Sequence, residues 1–477
     1  MSKLFGAVLP MAVMGCTVGE SVSIDDPAIT VVERHSNSHI HIPSGVPLPD
    51  PTGTFTTVST TGSIDLGNEF FQDLGTNGRR CISCHLPSSA WGITPSQTRV
   101  VFAATRGGEL DDPLGLGAIF RTNDGANSPK ADVSTLDKRR AAYSMLLSRG
   151  LIRVGLPVPA AAEFELVAVD DPYHFASAAE LSLFRRPLPS ANLKFLSTVM
   201  WDGRETQPGM TIHFDLSEQA TDATQGHAQG AALTDAQRES IVALETSLFT
   251  AQIQDAGAGR LDASGASGGP AELVDQPFYI GINDNFGDSQ THAPFTSVVF
   301  DLYDAWASSN GNGETPRRRR AVARGQALFN TRTINISGVS GLNDEAAFGN
   351  PANVVGTCTT CHDTPNSGNH SVVAPLNIGL TDAARRTPDM PLYTLRNKTT
   401  GETVQTTDPG RALISGKWKH IGRFKGPILR GLAARAPYFH NGFAADLDAV
   451  IDFYDGRFAM HLSAQDKSDL VAFLRTL

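Results

Sequence analysis

A chain of 477 residues with 40% apolar and 18% charged residues has the composition of a folded protein, and its length allows about two or three domains. Its 49 acidic and 39 basic side chains leave a formal charge of −10, which repels a phosphate backbone and excludes nucleic acid as the expected partner.

The first residues, MSKLFGAVLPMAVMGCTVGE, carry one cation, Lys3, followed by an uncharged run from Leu4 to Gly15. That run is too short to cross a bilayer and suits the apolar core of a secretory signal; a buried N-terminal strand or helix is the plainer alternative. Gly15-Cys16 also resembles a bacterial lipoprotein signal, whose cysteine becomes the lipidated first residue, although Met14 and Pro10 depart from that pattern. Residues 1–16 are therefore expected to be a signal peptide, and the protein to reside in the periplasm or cell envelope. Its only membrane attachment would be an N-terminal lipid, because no other segment reaches about 18 consecutive apolar residues. Residues 17–60, rich in Thr, Ser, Val and Pro, lack helical periodicity and read as a tether ending in extended pieces.

Two further breaks follow, AGAGRLDASGASGGP (from residue 256) and SSNGNGETP (308–316). The second precedes a strong helical pattern through RRRRAVARGQALFN, so the expected division is 61–308 and 316–477. A weak repeat agrees with it: GNEFF (Gly67 to Phe71) precedes one cysteine cluster and GQALF (Gly325 to Phe329) precedes another. Near the C-terminus Ser463 can cap a helix carrying Leu470, Val471, Phe473, Leu474 and Leu477. Few positions alternate with period two, so the expected fold is mainly α, with long loops.

The two clusters are Cys81-Ile82-Ser83-Cys84-His85 and Cys358-Thr359-Thr360-Cys361-His362. Two thiols three positions apart can each form a thioether with a haem vinyl group, while the adjacent His coordinates the iron from below. A zinc site would need both pairs to close one tetrahedron, but here each carries its own His and 277 residues separate them. A redox C-x-x-C would not need the His, and structural disulfides would not need the same spacing twice. Two covalently bound haem c groups are therefore expected, with Cys81, Cys84, Cys358 and Cys361 as attachment points and His85 and His362 as iron ligands. Covalent attachment also agrees with export.

With two such clamps, the tail FKGPILRGLAARAPYFHNGFAADLDAVIDFYD resembles the bacterial di-haem cytochrome c peroxidase and MauG superfamily, which reads F-K-x-P-x-L-R-N, then A-P-Y-F-H-D-G, then a helix. VMWDGRE (199–205) and LSEQA (216–220) resemble that family's F-W-D-G-R and L-E-E-Q-A. The resemblance runs from about residue 61 to 477 in its landmarks and implies two cytochrome c-like haem domains. Segments near 95–185 and 230–300 have no counterpart in it.

The resemblance assigns roles residue by residue. Trp201 matches the tryptophan that relays electrons between haems; its plainer role is core packing. Gln219 matches a glutamine on the distal side of the first haem. Where the family places an acid/base glutamate this chain has Gln229, and an amide cannot shuttle a proton. His227, two positions earlier, can supply acid/base chemistry or be an ordinary hydrogen-bonded surface or core histidine. The position of the second haem's sixth ligand, methionine in the peroxidases and tyrosine in MauG-type enzymes, falls on Tyr454, with Met460, His440 and Met390 as rivals. Arg430 lies in the matched motif as a candidate propionate partner. The run Arg317 to Arg320 could face propionates or an acidic donor, but a solvated helix face is the commoner use. The resemblance also implies a calcium ion held by the carbonyls of Arg435 and Pro437 and an Asn side chain. Arg186 occupies the Asn position, with Asn192 as a substitute oxygen donor.

The expected protein is an exported di-haem oxidoreductase that takes peroxide or an oxygen species at the His85 haem, with electrons relayed from the His362 haem. A small electron-donor protein or a quinol-linked cytochrome would supply them. The rivals are a purely electron-transferring cytochrome and a MauG-like or rubber-oxygenase-like enzyme acting on an organic or protein substrate.

Overall fold

The computed structural model describes residues 40–477. The expected signal peptide, and the expected tether up to residue 39, lie outside the described residues.

The remainder of the tether is part of the fold. His41–Pro43 pairs with Ser63–Asp65, and Pro47–Asp50, Gly53–Ser59, Leu248–Asp255 and Gly259–Arg260 form an antiparallel four-stranded sheet in that order. The Thr- and Val-rich composition of 53–59 is strand propensity, satisfied by a partner some 190 residues away that local periodicity cannot reveal. Phe55 is fully buried there, and the Thr57 hydroxyl accepts a hydrogen bond from the indole N–H of Trp91 at 2.9 Å.

Long-range pairing also corrects the expectation of a mainly helical chain. The architecture is mixed, because both unmatched segments contribute strands. Ile152–Leu156 pairs with Leu181–Arg185, and Phe164–Asp170 pairs with Leu392–Asn397, which pairs in turn with Thr403–Thr406. The boundary near 308–316 is therefore crossed by a shared sheet. The carbonyl of the last residue, Leu477, also accepts from Gln252 N at 3.3 Å and Gly431 N at 2.8 Å.

Helices supply the walls of the site. Ile212–His227 starts at Thr211, whose hydroxyl accepts from Phe214 N, and Asp235–Ser247 starts in a capping box of Thr234 and Gln237. In the C-terminal half Glu314–Thr331 packs on Ala464–Leu474, which Ser463 caps as expected. Their crossing needs Gly325: a Cβ there would lie 1.9 Å from the Asp469 carbonyl oxygen. Leu447–Phe458, capped by Asp446, completes the wall around the largest buried apolar cluster, which includes Phe329, Ile451, Leu470 and Phe473. Among the described residues no helix is long and apolar enough to cross a membrane.

Candidate active site

The two cysteine clusters fold alike. Each begins as a single 3-10 turn, Cys81–Ser83 and Cys358–Thr360. Each turn is closed by its third side chain: Arg80 N donates to the Ser83 hydroxyl at 3.1 Å and Thr357 N to the Thr360 hydroxyl at 2.9 Å. The histidine Nδ1–H then donates to a carbonyl six residues on, His85 to Trp91 O at 3.2 Å and His362 to Gly368 O at 2.6 Å. A carbonyl accepts only from a protonated nitrogen, so Nε2 of both rings is left with its lone pair, the form a metal ligand requires. Burial pushes both imidazoles below the usual histidine range, His85 to about 4, keeping them neutral. The four thiols form no disulfide and are raised by burial, Cys84 to about 11 and Cys361 to about 12. Each histidine packs against a phenylalanine from the segment ahead of its clamp, Phe70 against His85 with ring centroids 6.2 Å apart and Phe329 against His362 at 6.0 Å, although the repeat itself aligns Phe329 with Phe71.

Each clamp opens into its own cavity. The first is lined by Cys81, Cys84 and His85 and by one stripe of the helix Ile212–His227: Leu216, Gln219, Ala223 and His227. Spacings of three and four place these on one face. The second is almost wholly apolar, with Cys358, Cys361 and His362 facing Tyr454, Met460 and His440. Burial raises the Tyr454 phenol above its ordinary range, and its ring packs against Phe453 and Phe458. His440 is 1% exposed and stacks on Phe424 with centroids 4.0 Å apart, and its Nε2 has no hydrogen-bond partner. Met390 is not at the cavity; it is buried with Met145, Leu151 and Phe184, which removes it as a ligand.

Trp201, Lys425 and Pro427 line both cavities. The Trp201 indole donates to Arg186 O at 2.8 Å, and its carbonyl accepts from Lys425 N at 2.9 Å, so both ends of the residue are held. Its neighbour Asp202 is fully buried between Arg185 and Arg204, and Arg185 forks onto Asp408 at 2.7 and 2.9 Å.

Among known proteins, cytochrome-c peroxidase IdrP1 of Pseudomonas sp. (strain SCT) is 27% identical over 202 residues, covering 38% of this chain and 44% of its own. Cytochrome-c peroxidase IdrP2 of Denitromonas iodatirespirans is 32% identical over 132 residues, covering 26% of this chain and 36% of its own. These matches support, at modest identity, the resemblance to the di-haem cytochrome c peroxidase/MauG superfamily. The matched stretch of this chain spans less than half the length of those relatives. No family model matches. Among solved structures, a MauG-like protein associated with microbial copper homeostasis aligns at 19% identity and a TM-score of 0.32, over 62% of this chain and 74% of that one.

The chain departs from that family's pattern at several positions. Gln229 does not face the cavity: the helix ends at His227, and Gln229 is exposed with a left-handed φ of 56°. His227 does line it. Its Nδ1 bonds the carboxylate of Asp124, which is buried against Arg79. Arg79 is held by Ala118 O and Ile119 O, both at 3.1 Å. Burial alone would raise the Asp124 pKa, but Arg79 and then His227 outweigh it and hold the carboxyl below the usual carboxylate range. Asp124 and Arg79 are functional candidates that sequence reasoning missed. Asp124 lies 103 residues from its partner in a loop, RTNDGANS, that carries no motif.

Arg430 is also placed differently from expectation. It lines neither cavity; its Nη2 donates to the Gly269 carbonyl at 3.0 Å, while its Nε and Nη1 are buried without a hydrogen-bond partner among the described residues. The buried cation that does reach both cavities is Lys425, bonded to Thr198 O at 2.8 Å and pushed down by burial to about 7. The arginine run from Arg317 holds loops: Arg319 donates to Ala258 O at 3.0 Å and lies over Trp306. Calcium does not fit. Asn192 spends its amide on both backbone groups of Thr250, each at 2.9 Å, and the guanidinium of Arg186 itself donates to the Arg435 carbonyl at 2.9 Å.

Proposed function

We propose that the protein is an exported di-haem oxidoreductase that reduces peroxide, or uses it to oxidise a substrate, in the His85 cavity with electrons drawn through Trp201 from the His362 cavity. The observation that carries this reading is that one tryptophan, anchored at both ends, lines both clamp cavities. Cys81, Cys84 and His85 would hold one haem c, and Cys358, Cys361 and His362 the other, and the groups fit because both thiol pairs are free and both Nε2 atoms are available. Bound haem supplies the redox chemistry of the O–O bond.

The chain supplies the proton chemistry and the environment. Asp124 fixes the His227 tautomer with Nδ1 protonated, so Nε2 can accept a proton within the cavity and return it, in place of the carboxylate that Gln229 lacks. Gln219, on the same helix face, offers an amide to orient the oxygen species. The apolar walls of the second cavity exclude water from the electron store. Tyr454 there favours the MauG-like variant of the reading, in which an organic or protein substrate is oxidised, because an anionic oxygen donor stabilises higher iron oxidation states. A periplasmic location and a small donor protein or quinol-linked cytochrome complete the proposal.

The experiment is an absorption spectrum of the ferric protein, before and after partial reduction, with peroxide added. A high-spin haem that shifts with peroxide, and loses that response in His227→Gln, is expected. Two low-spin haems indifferent to peroxide would make the protein an electron-transfer cytochrome instead.

A further inference from the structure

Three backbone carbonyls from three distant segments converge on one buried guanidinium. Arg186 Nη1 donates to Arg149 O at 2.7 Å, and Nη2 donates to Ile93 O at 2.7 Å and Arg435 O at 2.9 Å. The residue is 7% exposed and has no carboxylate partner, so carbonyl dipoles supply its charge compensation. Burial, then repulsion from Arg435, lowers its pKa to about 9, which leaves it cationic at neutral pH. The pocket leaves no room for a second occupant beside the guanidinium on the Gly150 side: a Cβ on that residue would lie 2.7 Å from Nη1.

The backbone of Arg186 extends this junction to the electron path. Its N–H donates to His440 O at 2.6 Å, and its carbonyl takes the Trp201 indole at 2.8 Å. One residue thus ties 93, 149 and 435 together through its side chain, and positions both the ring between the cavities and a ring on the wall of the second. Convergent carbonyl oxygens with no carboxylate form a donor set that would suit a hard divalent cation with waters completing its shell. Here a covalently tethered charge fills that place.

We infer that Arg186 is a built-in cation standing where a divalent metal would otherwise join the two haem cavities, so that the placement of Trp201 is independent of calcium. Arg186 is a positioning residue, and the inference is separate from the identity of the substrate, since it concerns how the relay is held.

The test uses holoprotein and no turnover. Wild-type protein, treated with excess EGTA and desalted, should hold less than about 0.1 calcium per chain by elemental analysis, with a thermal midpoint and haem spectrum unchanged by millimolar calcium chloride. Arg186→Asn, which removes the charge and leaves the carbonyls, should melt roughly 5 °C or more lower in EGTA and recover on adding calcium. Arg186→Lys should stay indifferent to calcium. A wild-type protein that retains stoichiometric calcium, or whose spectrum changes on chelation, would overturn the inference. So would an Arg186→Asn protein that folds but ignores calcium. If Arg186→Asn does not fold, the wild-type and lysine measurements decide by the same criteria.

Discussion

The indole of Trp201 and the imidazole of His440 meet edge to face, with ring centroids 6.2 Å apart and planes at 64°. His440 in turn lies flat on Phe424 at 4.0 Å, so aromatic rings run without interruption from the wall shared by the cavities into the second one. Trp201→Phe keeps a ring but loses the N–H, leaving the Arg186 carbonyl unpaired at a cost of about 1–3 kcal/mol. The expected outcome is a folded protein with both haems attached, in which oxidation of the second haem after peroxide addition slows by about tenfold or more. Stopped-flow absorption measures it, and an unchanged rate would remove Trp201 from the relay.

The acid/base assignment separates His227 from Gln229. His227→Gln should lower the peroxide-dependent step by about 10²- to 10⁴-fold. Asp124→Asn should lower it less while leaving peroxide binding intact, since it disturbs only the tautomer and orientation of the ring. Gln229→Glu should change nothing, because that side chain is exposed and outside the cavity. A gain of activity in Gln229→Glu would reverse the assignment.

Under the proposal that the His362 cavity holds a haem, Tyr454→Phe should change its ferric spectrum, whereas Met390→Leu should leave it alone, given its burial against Met145 and Phe184. If Tyr454→Phe is silent and Met460→Leu is not, the ligand is Met460. Resonance Raman and absorption spectra of the ferric protein are sufficient to decide.

Asp202 predicts a pH dependence of stability. Burial alone would raise its pKa, but Arg185 and Arg204 bring it to about 2, below the roughly 3.9 of an unfolded chain. Between these values the unfolded state holds more protons than the folded one. The contribution of the pair is therefore complete above about pH 4 and is lost as pH falls toward 2. In Asp202→Asn the slope of stability against pH in that window should flatten by up to about 1.4 kcal/mol per unit. Denaturant titrations at pH 4, 3 and 2 measure it, and parallel curves for the two proteins would contradict it.

Gly325→Ala should destabilise by about 1–3 kcal/mol, because its Cβ would meet the Asp469 backbone rather than a side chain able to turn away. Thermal unfolding compared with Ala327→Gly, on the same helix but away from that crossing, separates close approach from helix propensity.

The amino-acid sequence by itself determined what depends on local spacing. The two C-x-x-C-H turns and the cap at Ser463 rest on residues within a turn or so of one another, where backbone geometry is set by near neighbours. Tertiary structure alone decided the rest. It joined strands 53–59 and 248–255, delivered Asp124 to His227 across 103 residues, moved Gln229 out of the cavity and set Lys425 rather than Arg430 between the cavities. It also filled a junction of three carbonyls with Arg186. The physical reason is common to these cases: a buried charge or an unpaired strand edge takes whatever partner the completed packing brings within about 3 Å, and no periodicity along the chain encodes that meeting.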